Sequence, residues 1–374
     1  MGHVDFIRAA CRRKIRALKV EGRDLINLDH SQSKTLLLRT CFSKKPLYML
    51  RNLPPHIHRD FASELQDFLI YLQEQCIGCP GALGAKQLHL EDYFTETSKG
   101  NVGDTPSDTE RVSQSDAHIH TGANPTENKH KWLQLQATLP VDESGLGLEN
   151  IHVQAYTSFI AARHSGLKRM FELERFKQDP FQKVLEEPIS PDETTPGISS
   201  LGLELGHAIS MLTDNNSSLR KAMESPSGLS VGAFLDMEVT QKALTDAELS
   251  AQRELILRQA TEESASQVAS IAQAAHARIQ SLTHSHGKDA SRFLTAIPYD
   301  ARSRWENHEF STAVELFLNI PISAAAGTPL CTKCSVKGKG KISTKGGLHF
   351  LDCKHGACQN IRQAAHRAMQ GELA

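Results

Sequence analysis

Apolar residues recur at helical spacing along most of this chain. Over residues 5–30, Phe6, Ile7, Ala10, Ile15 and Leu18 fall on one stripe, the pattern of a helix with one buried side. A second helix is expected to begin near Asp29, capped by Asp29 or Ser31, and to carry the run Leu36 to Phe42. Pro46 restarts the chain, and Tyr48-Met49-Leu50-Arg51-Asn52-Leu53 ends at the pair Pro54-Pro55. A third helix over 58–75 keeps Phe61, Leu65, Phe68, Leu69 and Leu72 in register. Together these predict a compact three-helix unit over 1–78.

From 79 to 131 the periodicity disappears and Gly, Ser, Thr, Asn and Asp dominate, so a flexible insertion is expected. Order returns over 132–177. Leu139-Pro140 and Gly145-Leu146-Gly147-Leu148 precede a helical pattern over 149–177 containing Ala155, Phe159, Ile160, Leu167 and Met170. The two glycines fit no phosphate-loop spacing and predict a tight turn. Pro180, Pro188, Pro191 and Pro196 make 178–232 a loop-rich linker. Residues 233–286 contain neither Gly nor Pro, and Leu249, Ile256, Ala260, Val268, Ile271, Ala275, Ile279 and Leu282 predict one long helix. A single break is expected near Leu244-Thr245-Asp246, with Thr245 or Asp246 as cap, and the Ala- and Gln-rich stripe favours packing within the chain over a coiled coil. The connector then runs to 330 through Trp305 and a short helix over 310–318.

Composition narrows the function classes. The chain has 374 residues, a mean hydropathy of -0.37 and 6% aromatic residues, which suits a helix-rich protein. A net charge of -1 gives no global reason for a polyanionic partner, so any such argument is local. The first residues carry no apolar leader pattern, and no run is long enough to span a membrane. An intracellular setting, nucleus or cytoplasm, without disulfides is therefore expected. Arg8, Arg12, Arg13, Lys14, Arg16 and Lys19 form a basic helix face that suits either phosphates or plain solvent.

The chemistry concentrates near the end. Cys331, Cys334, His349 and Cys353 follow a C-x2-C-x14-H-x3-C spacing. Three thiolates and one imidazole suit a tetrahedral Zn2+. His355 and Cys358 lie just downstream, so the fourth ligand is Cys353, His355 or Cys358, with Cys353 preferred because His349 and Cys353 fall on adjacent turns of a helix. Between the pairs stand Lys337, Lys339, Lys341 and Lys345, and Arg362 follows. Over 331–374, eight lysines and arginines face two acids, a local argument for nucleic acid. Cys76-x2-Cys79 lacks a second pair and reads as two incidental thiols. His118-x-His120 and His130 sit on the insertion and are not expected to bind metal.

Several segments together resemble LINE-like (non-LTR) retrotransposon reverse transcriptases. These are His30-x-Gln32-x3-Leu36-Leu37-Leu38-Arg39-x-Cys41, Tyr48-x-Leu50-Arg51-x2-Pro54-Pro55, Leu139-Pro140 with Gly145-Leu146-Gly147-Leu148, and Leu294-x2-Ile297-Pro298 with Glu309-Phe310-x2-Ala313. The cluster Cys331, Cys334, His349, Cys353 with Arg362 and His366 is similar to the start of that family's C-terminal region. The resemblance implies a thumb and connector leading to a zinc knuckle, able to grip template RNA or target DNA. It also implies that the catalytic palm and the endonuclease are missing. The palm needs adjacent aspartates, and no Asp-Asp pair occurs. Polymerisation would then require a partner chain that carries the palm.

The expected fold is mainly α: a helical thumb-like bundle over 1–78, an insertion over 79–131, a helical segment over 132–177, a linker over 178–232, a long connector helix within 233–330 and a zinc-knuckle-like module with a terminal helix over 331–374. The expected function is nucleic-acid binding without enzymatic activity. The deaminase H-x-E with P-C-x-x-C and the hydrolase G-x-S-x-G are both absent. The alternative is a helical interaction scaffold, its long helix offered to a partner and its zinc site structural.

Overall fold

The computed structural model describes residues 2–85, 125–173, 179–213, 217–284, 291–298 and 304–320. They are mainly helical. The N-terminal part contains α1 (Gly2–Ile26), α2 (Ser31–Leu37) running into a π-helical turn at Leu38–Phe42, α3 (Leu47–Asn52) and α4 (Arg59–Ile77). The middle contains α5 (Pro125–Ala137), α6 (Ile151–Glu172), α7 (Asp179–Glu186), α8 (Ser200–Ser210), α9 (Ser218–Glu224) and α10 (Val231–Asp236). Then come α11 (Gln241–Ser264), α12 (Ala269–His284), α13 (Arg292–Thr295) and α14 (Asn307–Phe317). A two-stranded antiparallel ribbon pairs β1 (Pro188–Ile189) with β2 (Leu229–Ser230), Pro188 opposite Ser230.

The apolar stripe expected on α1 is buried only in part: Ile15 and Leu18 pack with Cys11 and Leu25 against Phe61, Leu65, Phe68 and Leu72 of α4, whereas Phe6 near the start of the helix is exposed. The helix ends at Ile26, and the cap of α2 is His30 rather than Asp29 or Ser31. The reason is long-range. Asn307 Oδ1 accepts from Ser31 N at 2.9 Å and Asn307 Nδ2 donates to Asp29 O at 2.8 Å, so a side chain distant in sequence satisfies the helix start.

Residues 153–161 of α6 are all buried, and this helix joins two cores. Ile151 and Ala155 belong to the α1–α4 cluster, which also takes in Phe293, Phe310, Val314 and Phe317 from α13 and α14. Val153, Tyr156, Phe159 and Ile160 belong to a second cluster with Leu205, Ile209, Leu219, Val231 and Phe234. One buried carboxylate there gathers several donors. Tyr156 Oη donates to Glu248 at 2.9 Å, and Thr213 adds N–H and hydroxyl donors to the same carboxylate at 2.8 and 2.5 Å. That second cluster corrects the loop-rich linker expected over 178–232. The segment carries three short helices, α7, α8 and α9, and the ribbon between its loops. Gly202 and Gly206 have low helix propensity, yet they let α8 lie on the ribbon: a Cβ at Gly206 would stand 2.0 Å from the Ser190 backbone.

The long helix expected over 233–286 is three helices, with breaks at 237–240 and 265–268 instead of 244–246. Thr240 is the cap, accepting from Ala243 N at 3.2 Å. Thr245 lies inside α11, buried and hydrogen-bonded to the Thr157 hydroxyl at 3.0 Å. At the second break the Ser266 hydroxyl accepts from Val268 N at 3.2 Å, and α11 and α12 fold back antiparallel on one another. Arg253 Nη2 reaches Leu282 O at 3.3 Å and Arg278 pairs with Glu263 at 3.1 Å. Ile256, Ala260, Ala275 and Leu282 of the expected stripe are buried within the chain, while Val268 at the break is exposed.

Both ends of the insertion expected over 79–131 belong to the fold. Gly78, at φ +71, closes α4, and Cys79 and Leu83 are buried in the first core. The Glu74 carboxylate gathers the loop by accepting from Gly81 N, Leu83 N and Ala85 N at 2.8, 2.6 and 3.0 Å. At the other end α5 begins at Pro125 and packs Trp132 under the α11–α12 hairpin.

Candidate nucleic-acid interface

The described part of the expected interface is the outer face of α1. The i, i+4 row Arg8, Arg12 and Arg16 is exposed, Arg13 stands beside it, and Lys14 is half-buried at its margin. Row neighbours three or four residues apart have Cβ atoms roughly 5–6 Å apart. None of these five cations pairs with an acid among the described residues. The row persists because the opposite face of α1, Cys11, Ile15 and Leu18, is committed to the core, which turns these side chains outward. Lys19 is the correction on this face. It is 1% exposed and pairs with Glu64 at 2.6 Å, so its charge is used inside the fold.

Two of the segments that carry the resemblance, 30–41 and 294–298, are brought together, and their polar residues are structural. Gln32 Nε2 donates to Ala296 O at 3.2 Å and Gln32 Oε1 accepts from Trp305 N at 3.2 Å. Arg39 Nη2 donates to Leu294 O at 3.0 Å, and Arg304 Nε donates to His30 Nδ1 at 3.1 Å. The run after α5 folds back on its end: Gly147 N donates to Leu139 O at 2.9 Å, and Leu146 N and Leu148 N both donate to Ala137 O at 3.2 Å. Gly147 has φ +67, and a Cβ at Gly145 would meet Leu139 O at 2.0 Å. This is the tight turn expected of the two glycines.

With this geometry in hand, no family model, no curated protein and no solved structure matches the chain.

Beside that turn lies an open cavity of about 590 Å³ between α3, the α5–α6 connection and the first turns of α6 and α11. Arg51 of α3 and Gly147 and Leu148 of the connection line it, so two of the segments quoted for the resemblance face one cavity. Gln241, a residue to which the sequence drew no attention, holds Arg51 there by accepting from Nε and Nη2 at 3.1 and 2.8 Å. Neither Gln241 nor Asn307 carries a local signal, since each acts on a residue far away in the chain.

Cys331, Cys334, His349 and Cys353, the alternatives His355 and Cys358, and Lys337, Lys339, Lys341, Lys345 and Arg362 all lie outside the described residues. So do His118 and His120. Among the described residues no group of three or more His, Cys, Asp or Glu is arranged to hold a metal ion. Cys76 and Cys79 are two buried thiols, both pushed up to about 12 by burial, and Cys79 Sγ donates to Glu315 at 3.3 Å. Thiolate is the reactive form. Brief iodoacetamide treatment of the native chain at pH 8, mapped by mass spectrometry, is expected to mark exposed Cys41 and to spare Cys11, Cys76 and Cys79 until denaturant is added. Labelling of Cys76 or Cys79 at the Cys41 rate would contradict the packing at the end of α4.

Proposed function

We propose that this chain is a nucleic-acid-binding piece of a non-LTR retrotransposon reverse transcriptase. It would comprise the helical thumb-and-connector part and a C-terminal zinc knuckle, without polymerase chemistry of its own. The observation that carries the reading is the exposed cationic row of α1, without acid partners among the described residues and set on a helix whose other face is locked in the core. Phosphate binding needs cations that are held on a rigid element and not already neutralised. The contacts of His30, Gln32 and Arg39 with residues 294–307 support the same reading, because segments chosen for their resemblance turn out to be neighbours.

In this proposal Cys331, Cys334, His349 and Cys353 hold one structural Zn2+ and present Lys337, Lys339, Lys341, Lys345 and Arg362 to a nucleic-acid backbone. Zinc would supply folding energy to the segment, since thiolate-rich structural sites are unfolded without metal. Two-metal phosphoryl transfer needs clustered carboxylates, so polymerisation is assigned to a palm on a partner chain. The test uses the full chain. Metal analysis is expected to find one zinc per chain, lost in Cys334→Ser, and primer extension with Mg2+ is expected to give no product. Unchanged zinc in Cys334→Ser would remove the knuckle from the proposal, and an extended primer would overturn the absence of catalysis.

A further inference from the structure

The cavity beside the Gly145–Leu148 turn is walled by charged and amide side chains linked to one another. Five polar side chains form one relay along its wall. Lys44 Nζ pairs with Glu149 Oε1, Gln154 Nε2 donates to Glu149 Oε2 at 2.8 Å, and Gln241 Nε2 donates to Gln154 Oε1 at 2.7 Å. Gln241 Oε1 then accepts from Arg51 Nε and Nη2 at 3.1 and 2.8 Å. Donors and acceptors alternate through the relay without conflict.

The two ends of that relay differ. Lys44 meets a carboxylate and is neutralised. Arg51 meets a neutral amide, so its guanidinium is positioned with its charge intact and donors to spare. Lys242 lines the same cavity, is exposed, and has no acid partner among the described residues. The acids that face the cavity are Glu149, already held by Lys44 and Gln154, and Asp246, exposed on α11. The first turn of α11 also borders it, and the N–H groups of Gln241 and Lys242 lack intrahelical acceptors by the geometry of a helix start. A fixed guanidinium, a free ammonium and outward N–H groups around one concavity suit a single tetrahedral oxyanion.

We propose that this cavity seats one phosphodiester group of a bound nucleic-acid strand, gripped by Arg51 and Lys242, with Gln241 as the residue that positions Arg51. The inference rests on the nucleic-acid reading above and adds to it a second contact point, remote in sequence from the α1 row. Because the arrangement recognises a backbone phosphate, it carries no base preference.

The experiment measures binding of the full chain to a fluorescein-labelled single-stranded oligonucleotide across a series of salt concentrations. One phosphate contact contributes about 0.7 to the slope of log K against log salt, which is about fivefold in affinity at 0.1 M. Arg51→Gln with Lys242→Gln is expected to lose about that slope and that fivefold. Lys168→Gln with Arg169→Gln removes two exposed cations elsewhere and is expected to leave the slope unchanged. Gln241→Leu changes no charge and is expected to lower affinity two- to threefold with unchanged circular dichroism. Equal slopes for the two double variants, or full affinity in Gln241→Leu, would overturn the cavity assignment. If substitutions on α1 weaken binding while the Arg51 and Lys242 pair does not, the nucleic-acid reading stands and this inference falls. If the unmodified chain binds no oligonucleotide at low salt, both fall.

Discussion

Replacing Arg12, Arg13, Lys14 and Arg16 together by glutamine is expected to weaken binding of a single-stranded oligonucleotide about six-hundredfold at 0.1 M salt. Each phosphate neutralised releases counterions worth about 0.7 in the salt slope, so four lost contacts lower the slope by about 3. Arg8 remains and keeps a residual slope. The substitutions lie on the exposed face and margin of α1 and leave Cys11, Ile15 and Leu18 in place, so the fold is expected to hold, with unfolding midpoints in urea unchanged within error. Fluorescence anisotropy at several salt concentrations reads both quantities. An unchanged slope with an intact fold would make this a solvated helix face and would remove the central support of the proposed function. The comparison is clean because no ion pair among the described residues is broken by the change: Lys19 of α1, whose charge the core uses, is left untouched.

Glu74→Ala is expected to cost about 3–5 kcal/mol of stability, read from urea unfolding at neutral pH. Glu74 is 2% exposed, and its two oxygens accept from Gly81 N, Leu83 N and Ala85 N. Hydrogen bonds to a charged group are worth about 1.5–3 kcal/mol each, and a buried donor left without a partner adds its desolvation cost. The three share one carboxylate, so their contributions do not add in full. Glu74→Gln keeps one carbonyl acceptor but turns an amide N–H₂ toward backbone donors, and it is expected to fall between wild type and alanine. A loss below 1 kcal/mol for Glu74→Ala would mean that the loop after α4 is held by Cys79 and Leu83 burial alone. The outcome also bears on the segment read from sequence as a flexible insertion, because this carboxylate is what ties its first residues to the core.

Helix positions in the N-terminal part were legible because each is an amphipathic element with one buried stripe. Phe61, Leu65, Phe68, Leu69 and Leu72 are buried in α4 at the spacing that predicted them. The second core was not legible. Gly202 and Gly206 weigh against a helix in any local account, and only the approach of the Pro188–Ser190 backbone gives them a purpose. The breaks in the expected long helix failed for a related reason. Thr240, Thr245 and Ser266 are all capable caps, and burial of Thr245 against Thr157 decides which of them serve.

For the candidate site the division runs the same way. The exposed row on α1 was readable, because helix geometry alone sets which residues share a face. That Lys19 leaves this face for Glu64 was not, since its partner is on another helix. The cavity had no local signal at all: Arg51 is one arginine among many until Gln241 fixes it without neutralising it.

Composition and periodicity alone therefore determined that this is a mainly helical chain with a cationic first helix and a cysteine- and histidine-bearing end, because those are properties of residue type and spacing. Tertiary structure decided which charges stay free and which carboxylates and amides organise the loops. Those outcomes depend on pairs such as Lys19 with Glu64, Ser31 with Asn307 and Arg51 with Gln241, whose members are far apart in the chain and meet only when the helices pack.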